Sequence, residues 1–155
     1  EVPFVNVSWR EYVEAYSPNT DFGWDTHVKN FDLLPNRHCP ILDKALSALL
    51  DDMDARGLLD STLVVCMGEF GRTPRINKRA SRDHWAKNYF SIWAGAGVKP
   101  GRVIGASDAK AENPVTRPIE PTGVGVTMLD CLGITSIERA ELNVLPEGDF
   151  IHELF

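Results

Sequence analysis

The run Leu63-Val64-Val65-Cys66-Met67 is apolar throughout and rich in β-branched residues, the mark of a strand buried on both faces. It delivers the chain straight into a Gly/Pro loop, Gly68-Glu69-Phe70-Gly71-Arg72-Thr73-Pro74. Upstream, Pro40 opens a helix in which Ile41, Leu42, Ala45, Leu46, Leu49, Leu50 and Met53 recur at helical spacing, with Asp43, Lys44, Asp51, Asp52 and Asp54 on the other face and Gly57 as its stop. Residues 2–9 alternate apolar and polar, which predicts a first strand. Strand, helix, strand in that order is a βαβ unit. The chain therefore reads as one α/β domain over 1–155, with a mostly parallel central sheet flanked by helices.

The remaining elements extend this pattern. Tyr89–Ala94 predicts a further strand, ended by Gly95-Ala96-Gly97, and Pro121 opens a last helix that stops at Gly133. Residues 98–120 read as loop with room for a short strand at Arg102–Gly105, residues 10–37 as a long polar segment, and the tail from Thr135 as weakly patterned. The chain enters directly on its first predicted strand, without an initiator Met or leader, and reads as a cut from something longer.

Composition narrows the function classes. At 155 residues, 43% apolar and 25% charged, the chain buries a real core. A net charge of -6, with 16 basic residues scattered rather than clustered, argues against a nucleic-acid footprint. No apolar run approaches the roughly 18 residues of a membrane span. Cys39, Cys66 and Cys131 are far apart without a CxxC pair, so they read as small buried hydrophobes.

Three loops concentrate Asp, Glu and His. Asp25 and His27 flank one residue, so an extended segment projects both to one face, where a carboxylate and an imidazole can share a cation. Glu69 lies past the carboxyl end of a predicted buried strand, where open α/β sheets bind ligands. A cap or a salt bridge with Arg72 or Arg75 accounts for Glu69 equally well from local sequence. Asp83 and His84 are adjacent, which suits one ligand and one supporting partner, or two ions. Arg72, Arg75, Lys78, Arg79 and Arg82 crowd the intervening loop; a guanidinium matches a tetrahedral oxyanion, and Arg72, held between Gly71 and Thr73-Pro74, is the candidate catalytic residue. The alternative is a solvated basic loop. His38 and His152 lack acidic neighbours and read as structural.

Trp24-Asp25-Thr26-His27 with Asn30, then the stretch from Leu42 through Gly68-Glu69-Phe70-Gly71-Arg72-Thr73-Pro74 to Asn77, then Arg82-Asp83-His84-Trp85, resembles a bacterial family of sulfatase-like proteins in the alkaline phosphatase superfamily. The resemblance runs from about residue 2 to Phe155. It implies an alkaline-phosphatase-like α/β fold of which this chain is the C-terminal part, metal ions at the strand ends, hydrolysis of sulfate or phosphate esters, and export. It implies Asp25 and His27 as ligands to one metal, Glu69 in the place of an Asp whose His neighbour is here Phe70, and His84, with Asp83, returning to the first metal. The superfamily's nucleophile has no counterpart here, so the isolated chain is expected to be inactive.

Two functions stay open. One is a hydrolase half-site in which a divalent ion (Zn, Mn, Mg or Ca) acts on a small anionic ester, a sulfated or phosphorylated substrate, with metal ligands Asp25, His27, Glu69, Asp83 and His84. The other is a non-catalytic relative that binds or plays a structural part.

Overall fold

The computed structural model describes residues 3–9 and 23–155. These form two compact units: the described residues up to Asp52 together with Glu69–Tyr89, and Met53–Gly68 together with Phe90–Phe155.

The first unit is built on a helical run. Helix α1 (Asn30–Leu33) passes through a wider π-helical turn (Leu34–His38) into α2 (Cys39–Ala55). The helix thus starts ten residues before the expected Pro40. A proline inside a helix donates no amide hydrogen and its ring strikes the carbonyl four residues back; here a π turn immediately precedes Pro40 and loosens the spiral where that conflict arises. The first turn is satisfied from a distance, because Asn30 N donates to Ser81 Oγ at 3.3 Å and Asn30 Oδ1 accepts from Thr26 Oγ1 at 2.6 Å.

The same unit holds a two-stranded antiparallel ribbon, β2 (Gly71–Arg72) and β3 (His84–Trp85), with Gly71 opposite Trp85 and Arg72 opposite His84. The loop between them is wired internally. Thr73 N donates to Asp83 O at 2.8 Å, Asp83 N to Thr73 Oγ1 at 3.1 Å, and Arg82 Nη1 to the carbonyls of Thr73 and Pro74 at 2.6 and 2.7 Å. The fully buried side chains of this unit, Thr26, Asn30, His38 and Ser81, are all polar, so its interior is held by hydrogen bonds.

The second unit carries the apolar core. Strand β1 (Val64–Met67) pairs antiparallel with β4 (Ser91–Ala94), from Val64 opposite Ala94 to Met67 opposite Ser91. Helix α3 (Pro121–Cys131) buries Val124 against Ile151 and Leu154, with Trp93 and Met128 packed around them. Gly133, at φ +80°, ends α3 as its sequence position predicts. Helix α4 (Ser136–Glu141) is capped by Thr135 and Glu138 in a reciprocal capping box, and a 3-10 turn (His152–Leu154) closes the chain.

The parallel α/β sheet is not what the chain forms. The described residues contain only two two-stranded sheets, both antiparallel, and no central sheet flanked by helices. Residues 3–9 take no strand, and Phe4, Val5 and Val7 are exposed, so the βαβ unit lacks its first member; residue 2 lies outside the described residues. The run at 63–67 is half-buried rather than enclosed, with Met67 42% exposed. A short apolar run looks the same whether its partner runs parallel or antiparallel, and here the partner is β4, reached after the β2–β3 ribbon and running antiparallel. No strand forms at Arg102–Gly105, where Val103 is 95% exposed. The cysteines are free, but Cys39 and Cys131 are exposed and only Cys66 is half-buried. Of the expected polar segment, 10–22 lies outside the described residues and 30–37 is helical. No helix of the described residues is long and apolar enough to cross a membrane.

Candidate metal centre

Thr26 organises the first ligand loop. Its side chain is buried, and its carbonyl accepts from Ser81 Oγ at 2.9 Å. With Thr26 turned inward, Asp25 and His27 emerge together, and His27 Nε2 lies 3.0 Å from Asp25 Oδ1. Strand β3 brings in the third group: His84 Nε2 is 2.7 Å from the same Asp25 Oδ1 and 3.1 Å from His27 Nε2. One carboxylate oxygen and two imidazole nitrogens thus form a small triangle, and these three residues make up a possible metal-binding group. Tetrahedral coordination at about 2.0–2.1 Å sets ligand atoms about 3.3 Å apart. The observed triangle is slightly tighter, so a cation requires only a small withdrawal of each group. The side chains of Asp25, His84 and His27 are 65%, 45% and 31% exposed, which leaves one side open for a ligand from solvent.

Arg72 sits behind Asp25. Its Nη2 donates to Asp25 Oδ1 at 2.9 Å and to Trp24 O at 2.8 Å, while its Nη1 is buried without an acceptor among the described residues. Partial burial pushes the Asp25 carboxyl up, but the His84 hydrogen bond and the nearby His27 and Arg72 charges outweigh it and hold the carboxyl below its ordinary value. Phe70 covers the other ring: its centroid is 4.2 Å from that of His84, at 41°.

The remaining candidates fall around this group. Asp83 meets the far edge of His27, its Oδ1 3.2 Å from Nδ1, and accepts from Asn77 Nδ2 at 3.0 Å. The Asn77 hydrogen bond, with His27 beside it, holds the Asp83 carboxyl below the usual carboxylate range. Glu69 is exposed in the bend between β1 and β2 and is not a member of the group. Among the loop cations, Arg82 staples the loop and lies 5.3 Å over the Phe31 ring, whereas Arg75, Lys78 and Arg79 are exposed. His38 is fully buried, with Nε2 3.0 Å from Gly23 O and its ring 5.0 Å from that of Trp24. His152 is exposed in the second unit. Neither belongs to the group. Asn77, Ser81 and the packing of Phe70 on His84 were not singled out from sequence. The Asn-Lys-Arg-Ala-Ser stretch at 77–81 carries a turn signal that points to Asn77, whereas nothing in the sequence marks the other two.

The geometry defines a candidate cation site of two histidines and one carboxylate. The chain belongs to the family described as "Protein of unknown function (DUF1501)", whose match covers residues 1–140. No curated protein and no solved structure matches it.

Proposed function

We propose that this chain carries the divalent-cation centre of a hydrolase acting on sulfate or phosphate esters. The observation that carries the reading is the meeting of Asp25 Oδ1, His27 Nε2 and His84 Nε2 at 2.7–3.1 Å, from two segments far apart in the chain. A divalent ion bound there supplies charge stabilisation at a developing ester oxyanion. Asp25, His27 and His84 hold the ion. Arg72 keeps the Asp25 carboxylate turned toward it, and the exposed Arg75, Lys78 and Arg79 favour the approach of a small anionic ester. Two imidazoles with one carboxylate suit Zn or Mn better than Mg or Ca. The likeness of the three motifs to sulfatase-like proteins supports the same chemistry and an exported protein. It does so without the parallel sheet, which is absent among the described residues.

The packing of Phe70 on His84 and the exclusion of Glu69 favour a second reading, a protein that binds one cation without turnover. Metal analysis after loading with Zn, Mn, Mg or Ca, followed by a panel of aryl and alkyl phosphate and sulfate esters, separates the two. The hydrolase reading expects one tightly held ion and turnover that Asp25→Ala and His84→Ala abolish together with the metal. Metal without turnover leaves the binding reading, and no metal ends both.

A further inference from the structure

We infer that Asn77 and Asp83 lock His27 in the tautomer that carries its proton on Nδ1, so that the bare Nε2 faces Asp25 and His84. Asp83 is then a positioning residue rather than a metal ligand. The inference rests on the cation reading of the site, and the hydrogen-bond network carries it step by step.

The Asn77 side chain comes first. Its Oδ1 accepts from Arg79 N at 2.9 Å and Ser81 N at 3.0 Å, two backbone amides that can only donate. Those bonds settle which end of the amide is which. The NH2 end is left pointing at Asp83 Oδ1, 3.0 Å away, with His27 O at 3.4 Å. Asp83 is therefore oriented as an acceptor. A carboxylate is ionised at neutral pH and has no proton to give, and here it already accepts from the Asn77 amide. The 3.2 Å contact between Asp83 Oδ1 and His27 Nδ1 then requires the hydrogen to be on Nδ1. In the neutral ring Nε2 carries a lone pair, aimed at a carboxylate oxygen 3.0 Å away and another imidazole nitrogen 3.1 Å away. The Nε2 lone pair and the Asp25 oxygen are two acceptors that repel unless a positive group lies between or beside them. A proton on His84 Nε2 fills that role in the absence of metal, and a cation displacing that proton takes it over. Carboxylates behind metal-bound histidines orient the ring and raise its basicity in the same way.

The test is nitrogen NMR on protein labelled at histidine, at about pH 8.5, where an ordinary imidazole is neutral, paired with Zn2+ titration by calorimetry. Metal-free wild type should show His27 protonated at Nδ1 and bare at Nε2. Asp83→Ala should move the proton to Nε2 and weaken Zn2+ binding about 10- to 100-fold; because Asp83 is half-exposed, the fold should persist, as the unchanged signals of buried His38 would report. Asp83→Asn retains a carbonyl acceptor and should restore the Nδ1 tautomer and part of the affinity. A wild-type His27 protonated at Nε2 overturns the inference without any variant. Equal zinc affinity in wild type and Asp83→Ala overturns it while leaving the cation site standing. A locked Nδ1 tautomer in a protein that takes no zinc sinks the cation reading and leaves the lock in place.

Discussion

Arg72 and His84 are register partners across the β2–β3 ribbon, and their side chains end on the same oxygen of Asp25, at 2.9 and 2.7 Å. A ribbon of two residues per strand is marginal alone. The candidate site therefore depends on what holds the ribbon in place, which the following variants probe.

Gly71 is one such support. A Cβ there would stand 1.8 Å from the Asn88 carbonyl oxygen, a backbone atom that cannot turn aside. Gly71→Ala should displace β2, separate Arg72 from Asp25 and weaken Zn2+ binding at least tenfold. Gly101→Ala meets no atom within 4 Å and adds only the strain of its φ of +71°, about 1–2 kcal/mol. Calorimetric titration and melting of the two variants side by side provide the check; equal zinc affinity in both would show that the close approach to Asn88 does not matter to the site.

The acid limb of stability should report Asp25. Its carboxyl is held below the ordinary 3.8: burial raises it, and the His84 hydrogen bond with the His27 and Arg72 charges lowers it further than burial lifts it. A folded value below the unfolded one means the contribution is complete above the unfolded value and is lost as pH falls through the folded one. In urea denaturation between about pH 5 and pH 2, the gap between wild type and Asp25→Asn should narrow as pH falls. A gap that stays constant would mean that Asp25 gains nothing from its neighbours.

His38 should matter to stability. It is fully buried, reaches the Gly23 carbonyl at 3.0 Å and packs on Trp24, immediately ahead of Asp25. His38→Ala leaves a cavity and an unpaired carbonyl, and should cost about 2–4 kcal/mol. Denaturant melts and the near-ultraviolet signal of the tryptophans would register it, and a loss under 1 kcal/mol would contradict the packing described.

In the second unit, Arg139 is buried and pairs with Asp130 at the end of α3, while also donating to Ile134 O at 2.9 Å. Removing one member of such a pair leaves the other uncompensated. Because Asp130 is 34% exposed, Arg139→Ala should cost about 3 kcal/mol, the low end for buried pairs. Thr135→Ala, which removes only the helix cap, should cost about 1 kcal/mol. Thermal denaturation should rank the two in that order.

Local sequence determined the pieces of this protein whose physics is local. The apolar spacing of α2, the Pro121 and Gly133 that bound α3, and the two apolar runs that pair as β1 and β4 all follow from neighbours within a few residues. So does the Asp25-x-His27 pair, since alternate residues share a face. Even the α4 capping box was written in Thr135-Ser136-Ile137-Glu138, though the apolar pattern around it is weak. Strand direction was not local: the run at 63–67 fits a parallel or an antiparallel partner, and only pairing with Ser91–Ala94 decided it. The start of the first helix was hidden because Pro40 imitates an N-terminus, while Asn30 is capped by Ser81, fifty-one residues on. The site shows the same division. Sequence proposed five acidic and imidazole groups, but Asp83 and His84 are adjacent, and the register of a two-residue ribbon set one on Nδ1 of His27 and the other beside Nε2. Which carboxylate faces a cation and which stands behind a ligand depends on positions in space that chain spacing does not encode.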